Sequence, residues 1–333
     1  MSKVEIHQLA GFDDPSFSPL EWDALLRAGD TDELFLTWTW QRTWWETFGR
    51  GELLLLLAVR EGSPVALAPL FADCGMVYFV GAGGSDYLDF IGDVSDPEIL
   101  DELLCAARDK APDFAGFVFH HVLDGSRTGP FLASAADRLG LRCFSSDRLD
   151  APIIAFDGET DVVTAAAGKK SLVRHERSLA REDSLELRLL TDPSHIETSL
   201  DELFEQHERR WAATPYPSLF LDERWRHFFR RIGREGADAG WLRFTRLEWG
   251  GRPIALHFGF HRCGSYFWFK PSFDVTLARR SPGEVLLRRL LLSAADEGAT
   301  RFDFGIGQEA FKMRFANRVR AIENWNLYPR EGG

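Results

Sequence analysis

Between Trp241 and Phe304 the alternation of apolar and polar positions changes period from two to 3.6 and back again. Trp241–Glu248 alternates as a strand, Gly250-Gly251 marks a tight turn, Pro253–His261 reads as a second strand, and Ser265–Phe269 as a third after the Cys263-Gly264 turn. Ser281-Pro282-Gly283-Glu284 then opens a helix that runs to Gly298. Its start has Ser as the cap, Pro at the first helical position and Glu placed to fold back on the helix amides. Val285, Leu286, Leu290 and Ala294 keep helical spacing, and Arg301–Phe304 returns to strand. The predicted order is β-β-β-α-β.

The first half repeats it. Leu53–Arg60, Pro64–Phe71 and Met76–Gly81 read as strands, a helix follows from about Pro97 to Asp109, and Gly116–His120 is a last strand. Gly62-Ser-Pro-Val-Ala-Leu-Ala68 lines up with Gly251-Arg-Pro-Ile-Ala-Leu-His257, and Phe117-Val-Phe119 with Phe302-Asp-Phe304. Internal duplication is the economical explanation. Helix-like segments precede each copy: Thr37–Phe48, rich in tryptophan and read as core, and Leu200–Trp211 with Asp222–Ile232. The pattern breaks at Asp147, Asp150, Pro152, Asp157 and Gly158, so the expected domains are 1–155 and 156–333.

A chain of 333 residues holds two such domains comfortably. Charge divides unevenly between them. Residues 1–150 carry 11 Lys and Arg against 25 Asp and Glu, a net of −14, whereas residues 151–333 carry 28 against 26, a net of +2. An anionic ligand is steered to the second half, and the acidic first half argues against general DNA binding. Cys74, Cys105, Cys143 and Cys263 have no metal-ligand spacing and read as buried or partly buried thiols. The longest apolar run near the start, Leu53–Val59, is too short for a membrane span, and no signal peptide is apparent, so a cytoplasmic protein is expected.

The segment Phe302-Asp-Phe-Gly-Ile-Gly-Gln-Glu-Ala-Phe-Lys-Met-Arg-Phe315, with Ser281-Pro-Gly283 before it, resembles the C-terminal half of the GNAT-like acetyltransferases associated with cellulose-biosynthesis clusters (the CelD-like group). That group is related to the Fem-type aminoacyl transferases, which also carry two GNAT-like halves. His207-Glu-Arg-Arg-Trp211 resembles the group's H-x-x-R-W segment, while Gln308 stands where many relatives carry an acid. The resemblance implies an α/β (α+β) chain of two tandem GNAT-like domains, each a mixed, mostly antiparallel sheet flanked by helices. It also implies acetyl-CoA or another acyl-CoA as co-substrate, and a contact from Lys312 to acceptor or phosphate.

Within that frame the residues take roles. Arg279, Arg280, Ser281 and Gly283 form a cradle for the pyrophosphate at a helix N-terminus, with Glu284 as a competitor for the same amides. Strand alternation sets His257 on one face of the meander among small neighbours, as a candidate base; its repeat counterpart is Ala68. Asp303, opposite Val118 in the repeat, is a candidate for amine binding or ion pairing. His207, Arg210 and Trp211 share a helix face on the acceptor side, with Trp268 and Tyr216 as aromatic walls. Lys169, Lys170, Arg174, His175, Arg177 and Arg181 make a basic helix, read as a solvated face or a clamp for a phosphorylated partner.

The first half looks degenerate, because its helix start, Asp93–Glu98, is acidic. Gly81-Ala-Gly-Gly84 fits no phosphate-binding fingerprint and reads as a turn. The leading expectation is metal-free acyl transfer to an amine of a small molecule, saccharide or peptide, the oxyanion held by a backbone N–H of the meander. Two rivals stand beside it: an aminoacyl-tRNA donor, opposed by the acidic first half and by the lack of an inserted coiled-coil arm, and a non-catalytic binding protein. Oligomeric state is not legible.

Overall fold

The computed structural model describes residues 3–156, 160–212 and 214–330; Asp157 and Gly158 of the expected boundary lie outside them. The chain divides into two compact units, Met1–Asp150 with Arg320–Gly333, and Ala151–Val319. The first contains β1 (Val4–Leu9), α1 (Pro19–Ala28), α2 (Trp38–Phe48), β2 (Glu52–Arg60), β3 (Ser63–Asp73), β4 (Met76–Phe79), β5 (Ile91–Gly92), α3 (Pro97–Lys110), β6 (Gly116–Leu123) and α4 (Thr128–Arg138). After β7 (Leu141–Ala155), the second contains α5 (Thr160–Ala167), α6 (Lys170–Ala180), β8 (Leu185–Leu189), α7 (Pro193–Trp211), α8 (Glu223–Asp238), β9 (Leu242–Trp249), β10 (Arg252–Arg262), β11 (Ser265–Phe273), α9 (Pro282–Asp296), β12 (Arg301–Asp303) and α10 (Ala310–Phe315). The last strand, β13 (Arg318–Pro329), pairs antiparallel with β6, and Ile322 and Leu327 are fully buried there. The unit boundary thus differs from a single cut at 155/156.

The two meanders agree turn by turn. Glu61-Gly62 and Cys74-Gly75 in the first unit, and Gly250-Gly251 and Cys263-Gly264 in the second, all have positive φ at both residues. That is the left-handed pair a two-residue hairpin needs to match strand twist. In each unit the proline-bearing second strand shifts register beside its proline, at Ala58/Val59 opposite Pro64 and at Pro253/Ala255. The strand after the helix then pairs in parallel for three residues: Met76↔Gly116 to Tyr78↔Val118, and Ser265↔Arg301 to Phe267↔Asp303. Val118 and Asp303 are therefore true counterparts. The turns also correct one expectation. Cys74 and Cys263 are exposed at hairpin tips, where a buried or partly buried position was expected, and all four cysteines are free.

Helical periodicity delivers the core of the second unit. Val285, Leu286, Leu290, Leu291 and Ala294 of α9 are fully buried against Tyr266, Trp268, Phe302 and Phe304. Each large side chain so buried contributes about 1.5–3 kcal/mol. On the opposite sheet face, Phe244, Phe258, Phe260 and Phe269 pack on Phe229 of α8 and on one another. In the first unit the tryptophan-rich helix is core, as its pattern predicts. Trp40 is fully buried, and its indole N–H donates to Ser85 Oγ at 2.9 Å.

Candidate functional site

Pairing between β11 and β12 stops at Phe267 and Asp303, although β11 continues through Lys270-Pro271-Ser272-Phe273 along β10. Proline cannot donate to a ladder, and Pro271 sits in the part of β11 that has left β12. The strands diverge, and a groove of about 240 Å³ lies beside the freed segment. Trp268, Ser272, Phe273, Arg210, Phe311 and Phe315 line it, and Ser281, Gly283 and Glu284 close one end.

That end is the start of α9. Ser281 stands at the cap position but adopts a left-handed conformation (φ 54°, ψ 50°), and its side chain makes no capping bond. Glu284 does not fold back either. Its carboxylate receives His175 Nδ1 at 2.9 Å and Arg314 at 2.9 Å. The capping box expected from the sequence is absent because both of its members are turned elsewhere. The Glu284 and Val285 amides bond the Ser281 carbonyl. Gly283 packs close to Phe273, and an added Cβ would lie 3.2 Å from its ring, tight enough that the ring would have to shift by a few tenths of an ångström. The two arginines before the helix differ. Arg280 pairs with Glu182 at 2.7 Å and lies 4.9 Å over Trp249, whereas Arg279 is exposed.

Arg210, on α7, donates to the Pro271 carbonyl at 2.9 Å and lies 4.8 Å over the Phe273 ring. Burial lowers its pKa, and among the described residues no carboxylate pairs with it. Its neighbours on α7 point elsewhere. His207 is buried, bonds Ser218 Oγ at 2.8 Å and stacks on Trp211. Burial above all, then the charges of Lys270 and Arg210, holds its pKa down at about 3.

His257 is fully buried between the rings of Trp268, 5.0 Å away, and Tyr266, 6.4 Å away. The small neighbour expected to leave room for a ligand is used by the imidazole itself. A Cβ on Gly259 would lie 2.0 Å from that ring. Neither ring nitrogen makes a well-formed hydrogen bond, and burial takes the pKa to about 3, against a smaller opposing pull from the Phe267 carbonyl. His257 therefore sits behind Trp268, neutral, and does not line the groove.

Asp303 is fully buried and accepts the Gly305 N–H at 2.8 Å, which holds the turn after β12. Phe302 packs on Tyr266 and Trp268, so alternation sends Asp303 to the other sheet face from His257. Lys312 is buried as well, its Nζ donating to the Ile306 carbonyl at 2.8 Å beside Glu309 at 3.0 Å. It ties its own loop, while its neighbours Phe311 and Phe315 reach the groove. Tyr216 is exposed.

Of the site residues expected from sequence, Arg210, Trp268, Ser281 and Gly283 meet in one groove; His257, Asp303, His207, Trp211, Arg279, Arg280 and Lys312 do not line it. Sequence reasoning missed Ser272, Phe273 and the groove-facing phenylalanines, because Pro271 reads as a strand end and the helical pattern of α10 is only six residues long. No group of three or more His, Cys, Asp or Glu side chains among the described residues is placed to hold a metal ion. No helix among them is long and apolar enough to cross a membrane.

Residues 166–313 match the acetyltransferase (GNAT) domain family. Among solved structures, FemX is similar over 96% of this chain and 96% of its own, at 13% identity and a TM-score of 0.67. A tandem GNAT protein from the clavulanic acid biosynthesis pathway is similar over 99% and 100%, at 11% identity and a TM-score of 0.53. L-PGS from Bacillus licheniformis is similar over 95% and 93%, at 14% identity and 0.57. At such identities the likeness concerns the fold alone, a mixed, mostly antiparallel α/β architecture shared with a tandem GNAT protein. Comparison with curated proteins finds no match.

Proposed function

We propose that the second unit transfers an acyl group, acetyl in the simplest case, from an acyl-CoA to an amine of a small molecule, saccharide or peptide. The observation that carries this reading is the divergence of β11 from β12 past Phe267 and Asp303, with the uncapped start of α9 at the end of the resulting groove. A helix start without its own cap favours an anion. Arg279 supplies an exposed cation beside it. The freed edge of β11 presents backbone N–H groups to the oxygen of a reacting carbonyl. As the amine's C–N bond forms, the thioester C–S bond breaks, and the amine's proton leaves with the thiol. His257 and His207, at about 3, are too weakly basic to drive that proton transfer, so we assign it to water in the groove. The first unit is read as a non-catalytic companion.

One observation favours a second reading. Lys170, Arg174, Arg177 and Arg181 line an exposed face of α6 without a carboxylate partner among the described residues, as an aminoacyl-tRNA donor would require. Titration calorimetry separates the two. Coenzyme A binding with free-thiol release upon addition of acyl-CoA and amines supports the first, while salt-sensitive tRNA binding without coenzyme A binding overturns it in favour of the second.

A further inference from the structure

The sheet of the second unit ends at β8, which among the described residues pairs with β9 alone. Unpaired N–H and C=O groups on such an edge template further pairing, and proteins blunt it with proline, lysine, a bulge or a covering element. Leu185-Glu-Leu-Arg-Leu189 has no proline and no lysine, and its register runs unbroken from Leu185↔Trp249 to Leu189↔Thr245. Glu186, Arg188 and Leu189 are exposed, and Leu185 and Leu187 only half-buried. The direction of the free groups follows from the bonds just beyond the strand's ends. The Leu190 N–H donates to the Phe244 carbonyl at 2.8 Å, and the Gly250 N–H to the Ser184 carbonyl at 2.9 Å. Even-numbered residues therefore turn their backbone toward β9, and the N–H and C=O groups of Leu185, Leu187 and Leu189 point off the sheet.

The charges give a second signal. Glu186 stands directly opposite Glu248 on β9, and Arg188 opposite Arg246, a like-charged register that weakens a strand pair. It is relieved by ion pairs of Glu248 with Arg188 at 3.0 Å and with Arg246 at 2.9 Å. About Leu187, by contrast, the strand is its own complement: reversed, its acid falls on its base.

We propose that β8 is a homodimerisation edge, on which β8 of a second copy pairs antiparallel about a twofold axis at Leu187. Glu186 then meets the second copy's Arg188, Arg188 meets its Glu186, Leu187 faces Leu187, and Leu185 faces Leu189. The leucine pairs exchange the main-chain bonds, and the charged pairs fall at the closer, non-hydrogen-bonded positions. Leu189, 46% exposed, is covered on the face where Leu185 and Leu187 pack against the core. The exposed pair of Arg188 with Glu186 inside one strand, at 3.0 Å, costs little to exchange. An unrelated extended peptide would gain the main-chain bonds without both charge pairs and the leucine match, which favours a second copy. So short an edge buries less than the roughly 1,200 Å² of a standard interface, so the dimer is reversible. β9 and β10 separate β8 from β11, and the inference stands independently of the acyl-transfer reading.

Sedimentation velocity on the full chain, from about 1 to about 200 µM, should show monomer giving way to dimer as concentration rises. Glu186→Arg and Arg188→Glu each set like charges opposite one another twice across the axis, and each alone should raise the dissociation constant by about tenfold. An equimolar mixture of these two variants should dimerise as well as the unmodified chain, because every charged pair is then of opposite sign. The double variant Glu186→Arg/Arg188→Glu should do so by itself. Amide exchange at Leu185, Leu187 and Leu189 should slow with rising concentration, while Glu186 and Arg188, whose amides face β9, should not change. A chain that stays monomeric over the whole range overturns the inference. So does a dimer that both single variants leave intact, a mixture of the two that stays monomeric, or a dimer whose leucine amides exchange at the monomer's rate.

Discussion

The two units build the same helix start in opposite ways. In the first, Asp96 caps α3 by accepting the Glu98 N–H at 2.9 Å, and Arg60 closes over Asp96 at 2.7 Å and Glu98 at 3.3 Å. In the second, Ser281 is left-handed, its side chain caps nothing, and the following glycine stands against Phe273. The first start has satisfied itself with its own carboxylate. The second has no side-chain cap, and its Glu284 and Val285 amides bond only the Ser281 carbonyl. Duplicated topology therefore does not imply duplicated chemistry: a capped amide is unavailable to an anion whatever fold surrounds it.

Acid should give the largest contrast between the units. The folded second unit keeps His207 and His257 neutral down to about 3 against an ordinary 6.5, so between those values the unfolded chain binds more protons. Their contribution to stability is present above 6.5 and lost as pH falls toward 3. Asp89 of the first unit has the opposite sign. Burial raises it from 3.8 to about 6, although Ser126 and Thr128 donate to it, so its contribution is present below 3.8 and lost as pH rises through 6. Amide exchange followed from neutral to mildly acid solution should open the second unit first, by several kcal/mol. Simultaneous opening would erase the contrast.

His257→Ala comes next, since it empties the space between Trp268 and Tyr266 that Ala68 never needed to fill. A loss of about 3 kcal/mol in denaturant unfolding is expected from a cavity of that kind. The acid limb of the pH–rate profile should stay in place. A displaced limb would return the general-base role to His257.

Gly283→Glu should weaken coenzyme A binding by about a hundredfold, by adding bulk and like charge at the α9 start, with calorimetry as the measurement. Glu98→Lys at the corresponding start in the first unit should leave that affinity unchanged; a comparable loss there would mean that both starts serve ligands. Smallest of all is Arg280→Ala. Its partner Glu182 is half exposed, so melting temperature and donor affinity should barely change, and a large loss of affinity would place Arg280 in the pyrophosphate cradle after all.

Local pattern was enough to read the meanders, the proline-led helix starts, the repeat and the counterparts Ala68/His257 and Val118/Asp303. These features depend on residues close together in sequence, where alternation, glycine turns and helical spacing act directly. The same alternation set His257 and Asp303 on strand faces, but it carried no information about which faces share a side. That required the parallel register of β11 with β12, joining segments more than thirty residues apart. The bulge that folds the imidazole over Gly259, the turning of Glu284 to His175 and Arg314, and the meeting of Arg210 with the Pro271 carbonyl are likewise products of packing between distant elements. The sequence by itself determined the elements and their duplication. Tertiary structure alone decided which polar groups are satisfied and which are left facing the groove, because a hydrogen bond or an ion pair depends on distances in space that no single strand or helix sets.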